Sequence, residues 1–158
     1  VMGGENCGSC ELFDMNVGNW RELPDMKVPR AHCGIYLDKM NNVIYAFFGI
    51  VGSITEKNNY TDVLECLELR KLALGWYKID YNNRAEMNFK SGFNKLLPLN
   101  PEMVLVYGAK NMRDFAKKIA VYLIPKQEMI KVDNRIFNEI REASKKSKQL
   151  SKVLTSYI

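Results

Sequence analysis

Apolar residues in this chain come in short bursts: "CELFDMN", "HCGIYL", "NNVIYAFFGI", "DVLECLELR", "GWYKID", "EMVLVYGA", "KIAVYLIP" and "EMIKVD", set apart by Asn, Gly, Pro or Asp. Runs of this length, alternating or continuously apolar and rich in Val, Ile, Tyr and Phe, predict strands rather than helices. Their crowding into residues 1–133 predicts an all-β fold. The pattern changes after Asp133. From Asn134, a candidate N-cap, Ile136, Ile140, Ala143, Ser147, Leu150, Leu154 and Tyr157 step alternately by four and three. That heptad spacing predicts an amphipathic α-helix within 134–158. The chain therefore divides into a strand-rich body, 1–133, and a helical tail, 134–158.

The strands recur in register. Trp20 in "NWREL" is matched 56 positions later by Trp76 in "GWYKI", and Met129 in "EMIKV" follows 53 positions after that. A large apolar residue stands seven positions before each: Phe13, Leu69 and Tyr122. The pair Arg30–Ala31 recurs as Arg84–Ala85, and glycine punctuation keeps the same order at Gly3–Gly4, Gly49 and Gly108–Ala109. A period of about 50 residues with four strands per unit is the sequence signature of a propeller repeat. The first unit enters midway and supplies strands 10–16 and 19–23. The second runs through 32–37, 43–49, 61–70 and 76–80, and the third through 86–93, 103–108, 118–124 and 128–132.

The stretch "VMGG…CELFDMNVGNWRELP…VPRAHCGIYL" resembles the kelch motif: apolar run, double glycine, aromatic residue, Trp seven positions on, then Pro-Arg. The likeness spans residues 1–133. It departs from the motif at "FFGIVG" in the second unit, and at Gly108–Ala109 and Met129 in the third. The resemblance implies incomplete kelch-type β-propeller blades of four antiparallel strands, one partial and two complete, followed by the C-terminal amphipathic helix. Gly3, Gly4, Gly49 and Gly108 then mark strand ends where the backbone turns beside neighbouring chain. Phe13 with Trp20, Leu69 with Trp76 and Tyr122 with Met129 become structural repeat positions that pack between blades. Propellers close with about 4–8 blades, so the chain is expected to be a C-terminal piece of a larger ring, or to be completed by a second chain.

Partners of kelch propellers dock on the strand 2–3 and strand 4–1 loops. By resemblance these are 5–9, 51–60 and 110–117, with 24–31 and 81–85 beside them. Lys57, Asn58, Tyr60, Lys110, Arg113 and Phe115 are the candidate partner-binding residues; Arg and aromatic side chains are enriched at interfaces. Arg30 and Arg84, which open their units at equivalent positions, read equally well as structural. Kelch proteins include cytoskeletal and axonemal components and ubiquitin-ligase adaptors. The implied function is a non-enzymatic protein–protein interaction scaffold within a larger intracellular assembly in the cytoplasm, the cytoskeleton or the cilium. The alternatives are the substrate-recognition propeller of a ubiquitin-ligase adaptor and an enzyme or metalloprotein on a propeller scaffold. The tail helix would cover the last blade's edge or lie against a partner helix.

Charge and composition narrow the classes further. The net charge is +5, yet residues 1–133 hold 17 basic against 16 acidic side chains and residues 134–158 hold six against two. The body is nearly neutral and the basic character belongs to the tail. "KKSKQLSK" lacks the interleaved aromatics that stack on single strands, so a solvated helix face is expected there rather than a nucleic-acid site. No apolar run approaches the length of a membrane helix. Four cysteines in 158 residues are too few for a disulfide scaffold and suggest a reducing compartment.

The remaining chemistry points away from an enzyme. Cys7 and Cys10 have the spacing of half a zinc site, but the chain has a single histidine, His32, and no second CxxC. His32 lacks the neighbours of a nucleophile–base pair, and Cys33 beside it is expected to be buried. Glu65 and Glu68 lie three apart on a predicted strand and so point to opposite faces. "GGENCGSC" has no GK[ST] and precedes a strand, unlike a phosphate loop. One histidine also cannot supply the ligands of the copper oxidases built on kelch-type propellers. No catalytic residue, metal or cofactor is expected.

Overall fold

The computed structural model describes residues 1–53, 59–82, 92–109, 118–132 and 135. These form eleven strands in three antiparallel sheets. Sheet one contains β1 (Met2–Gly4), β2 (Cys7–Asp14) and β3 (Asn19–Leu23). Sheet two contains β4 (Gly34–Asp38), β5 (Val43–Ile50), β6 (Tyr60–Glu68) and β7 (Tyr77–Ile79). Sheet three contains β8 (Gly92–Asn100), β9 (Met103–Ala109), β10 (Lys118–Leu123) and β11 (Glu128–Lys131). Within each sheet the strands pair in chain order, so each sheet is a meander.

The sheets stack face to face because their strands are apolar on the faces they share. Every residue of β5 is buried, as a continuously apolar strand requires when both faces are covered. Ile44 and Ala46 join Leu67 and Trp76 in a cluster with Cys10, Leu23 and Met26 from the first sheet and the segment after it. Tyr45 and Phe47 turn the other way, joining Leu64, Cys66 and Ile79 against Val104, Val106, Ala120, Tyr122 and Met129 of sheet three. Tyr122 anchors that second layer, edge-on to Phe47 at 5.3 Å and to Tyr45 at 6.1 Å. The register shift between Phe47 and Gly49 lets Phe48 enter the same cluster as its neighbour, with φ of 54° at Phe48. Each large side chain so buried contributes roughly 1.5–3 kcal/mol. On the far side of sheet three, Leu105, Ile119, Val121 and Leu123 form a third buried cluster.

Three expectations are corrected. The C-terminal amphipathic helix is not supported: the described elements are strands and one 3-10 turn, Leu72–Leu74, with no α-helix among them. Of the expected tail, Asn134 and residues 136–158 lie outside the described residues. The first strand of sheet three occupies Gly92–Asn100 rather than 86–93; residues 83–91 lie outside the described residues. Pro98 hid this strand, since a proline lacks the donor a central strand needs, but β8 is an edge strand with an irregular register at Pro98–Asn100. The turn expected at 5–9 is only Glu5–Asn6, and Cys7 already pairs with Gly4. Asn6 accommodates the tight turn with φ of 54°.

Candidate interaction surface

The segment between sheets one and two ties all three sheets together. Arg30 O accepts from Gly4 N, and Arg30 N donates to Cys7 O, which anchors it to sheet one. Ala31 and Ile50 exchange both backbone bonds at 2.8 Å, anchoring it to sheet two, and His32 O accepts from Asn94 N of sheet three. Close approach here explains two of the glycines. A Cβ on Gly3 would collide with the Arg30 carbonyl, and one on Gly49 would lie 2.7 Å from Ala31 O. Both residues also have positive φ, 66° and 119°.

Arg30 is the centre of this arrangement. It is fully buried, paired with the equally buried Glu65, and its Nη1 donates to Val63 O at 2.6 Å and to Phe48 O at 3.4 Å. Glu65 also accepts from Lys27 N at 3.1 Å and Val28 N at 3.3 Å. Arg30 Nε has no hydrogen-bond partner among the described residues. Burial lowers the Arg30 pKa and the Glu65 carboxylate opposes that shift. Cys33 lies in the same field, its thiol pushed up by burial and pulled back by Arg30. A guanidinium so enclosed crosslinks chain segments and is closed to a ligand. Glu68, on the other face of β6, pairs instead with exposed Lys71 at 2.8 Å and accepts from Tyr77 Oη. The Lys71 hydrogen bond lowers the Glu68 pKa.

The expected partner-binding loops adjoin the end of the sheets where β5 and β9 finish. Tyr60 opens β6 opposite Ile50, and both lean over Gly92, whose ideal Cβ would lie 2.7 Å from Ile50 Cδ1 and 3.3 Å from Tyr60 Cε1. Gly92 in turn pairs with Ala109, so segments 51–59 and 110–117 both leave from this corner. Of the expected partner-binding residues, Tyr60 is described here; Lys57, Asn58, Lys110, Arg113 and Phe115 lie outside the described residues. Exposed His32, with φ of 54°, stands at the same end.

The repeat positions take different surroundings. Phe13 and Trp20 are cross-strand partners with rings 5.1 Å apart, and they are 42% and 56% exposed on the outer face of sheet one. Tyr122 and Met129 are also partners, fully buried against sheet two. Trp76 is fully buried against sheet one, its Nε1 donating to Pro24 O at 2.8 Å. Leu69 is not its partner: Cys66 pairs with Tyr77, so the register continued by one residue sets Leu67 opposite Trp76. Leu69 lies in the longer turn between β6 and β7, packed against the same cluster. Gly108 pairs with Lys118 near the end of β9.

All four cysteines are free thiols. Cys7 hydrogen-bonds Ser9 Oγ, which lowers its pKa, whereas burial pushes Cys10 up to about 11. Among the described residues no three His, Cys, Asp or Glu side chains are grouped to hold a metal ion. No helix among them is long and apolar enough to cross a membrane. The Arg30–Glu65 pair escaped sequence reading because 35 positions separate its members and no local spacing signals it. No protein-family model matches the chain, and a search of curated proteins finds no match.

Proposed function

We propose that the chain is a non-enzymatic protein-interaction scaffold of the kelch type, serving as a structural part of a larger assembly in a reducing compartment such as the cytoplasm. The observation that carries this reading is the repeated disposition of the paired positions. In sheets two and three the pairs Leu67–Trp76 and Tyr122–Met129 face the preceding sheet, and in sheet one Phe13–Trp20 sits on the corresponding face. Sheets two and three are each sealed onto the sheet before them by a large apolar pair, which supports a repeat architecture. Free thiols agree with the compartment. The corner holding Tyr60 is the partner-binding end in this reading, supported by the departure of segments 51–59 and 110–117 from adjacent strand ends.

A photo-crosslinking amino acid at Tyr60, used in cells with mass-spectrometric identification, tests the proposal. One recurrent crosslinked protein partner, which no longer co-purifies with the Tyr60→Ala chain at unchanged melting temperature, is the expected result. Absence of a crosslinked protein would count against the scaffold reading.

A further inference from the structure

Turn residues are ordinarily polar, but the turns at the end of the sheets away from the loop corner are not. Apart from Val1, the most exposed large apolar side chains among the described residues are Met15 (87%), Met40 (78%), Leu74 (69%) and Val17 (67%), and all four stand in these turns. Strand direction puts the turns together. β5 and β9 finish at the corner and β6 begins there, so turns 39–42, 69–75 and 101–102 lie at the far end. Leu69 N donates to Asn42 O and Ile124 N to Glu102 O, each at 2.9 Å, which joins 39–42 to 69–75 and 101–102 to 124–127. Arg30 N reaches Cys7 O beside the Ala31–Ile50 bridge, so β2 runs away from the corner to turn 15–18.

Sheet two shows that this exposure is built in. Its two faces are covered by sheets one and three, so the side chains left outside at its turns belong to no stacking face. In the 3-10 turn Leu72 packs inward, whereas Leu74 projects outward before Gly75, at φ of 65°, swings Trp76 back into the core. Asp38 accepts from Met40 N and Asn41 N, which fixes the other turn with Met40 in solvent. Charge follows the same pattern. Within the five turns the charged residues are Lys39, Arg70, Lys71 and Lys126 against Glu102 alone. Asp14, Asp38, Glu68 and Glu128 stand one position behind, at strand ends, and the first three are engaged by turn amides or by Lys71.

We propose that this end docks on an anionic membrane surface without crossing the bilayer, with Met40 and Leu74 among the headgroups and Lys39, Arg70 and Lys126 on the lipid anions. Apolar side chains on convex tips suit a fluid interface, which closes around them, while the cations beside them draw on the negative surface potential. A protein partner would instead have to supply a concave match to each tip. A second copy is disfavoured, because like-charged faces would meet. The cytoplasmic leaflet is the anionic one, and docking there would turn the Tyr60 corner away from the bilayer. The site rests on sheet two and its turns and does not depend on the kelch reading.

The test floats the full chain with vesicles of equimolar phosphatidylcholine and phosphatidylserine, and with phosphatidylcholine alone, over a range of lipid concentration. The expected result is saturable partition onto the phosphatidylserine vesicles only, reversed by salt. The double variant Met40→Ser with Leu74→Ser should partition about tenfold or more weakly, as withdrawing two apolar side chains from the interface implies. Lys39→Gln with Arg70→Gln should weaken partition about tenfold as well. Tyr60→Ala should float like the parent chain, which separates this surface from the loop corner. The substituted turn side chains are exposed, so melting temperatures should hold. The proposal fails if the chain does not float, or if Met40→Ser with Leu74→Ser floats unchanged, which would put the lipid contact elsewhere in the chain. It also fails if polyglutamate binds as tightly as the vesicles and the same double variant binds it unchanged, making the occupant an acidic protein.

Discussion

Substituting Arg30 as Arg30→Met would leave the Glu65 carboxylate, fully buried, with only the Lys27 and Val28 amides to solvate it. It would also strip the Val63 and Phe48 carbonyls of their guanidinium donor. Breaking a buried ion pair from one side costs about 3–5 kcal/mol, because an uncompensated charge remains in low dielectric. A domain holds only about 5–15 kcal/mol in total, so the loss is a large share of its stability. For a chain of this size the melting temperature should fall by roughly 6–20 °C, at about 2–4 °C per kcal/mol. Glu65→Gln should cost a similar amount. The double change Arg30→Met with Glu65→Leu should cost less than the two single losses combined, since the desolvation penalty is returned with the pair, while the orphaned amides still cost about 1–3 kcal/mol. Urea unfolding followed by circular dichroism measures all three. A single-variant loss below about 1 kcal/mol, or strict additivity in the double variant, would refute a buried ionic crosslink.

Gly49→Ala should destabilise by about 1–2 kcal/mol from its positive φ alone, and by more from the clash with Ala31 O, as read in the same unfolding assay. Tyr122→Phe should be neutral or stabilising by about 1 kcal/mol, because the buried hydroxyl has no hydrogen-bond partner and the ring supplies the packing. A thiol reagent near neutral pH should modify Cys7 first, while Cys10 and Cys66, both pushed up to about 11 with burial as the largest cause, react only after unfolding. Those raised pKa values also set an alkaline limit. Their contribution is fully present below the ordinary thiol pKa of 9.0, and is lost as pH rises towards 11, so urea midpoints should fall across that window.

The sheets themselves were legible in the chain because apolar strands separated by Gly and Asn carry a strong local signal. The continuous run Val43–Ile50 announced a strand buried on both faces, and β2, β3, β10 and β11 fall within a few residues of their apolar runs. Local pattern misled where a tertiary circumstance decides. Pro98 is tolerated because β8 is an edge strand, a fact of sheet order rather than sequence. The seven-residue spacing of Leu69 and Trp76 matched the other pairs, yet the 3-10 turn at Leu72–Leu74 lengthens the connection and moves Leu67 opposite the tryptophan. Arg30 and Glu65 find each other only once the segment after sheet one crosses the strands of sheet two. Of the partner-binding positions, Tyr60 can be placed because it begins a strand.

Stacking of the sheets through those side chains is tested most directly by proton NMR of the Trp76 indole. The indole N–H should exchange slowly, and the ring should show cross-peaks to Leu23 and Met26 of the neighbouring layer, as Tyr122 should to Phe47. A rapidly exchanging indole with contacts only to its own sheet would contradict the stacked arrangement.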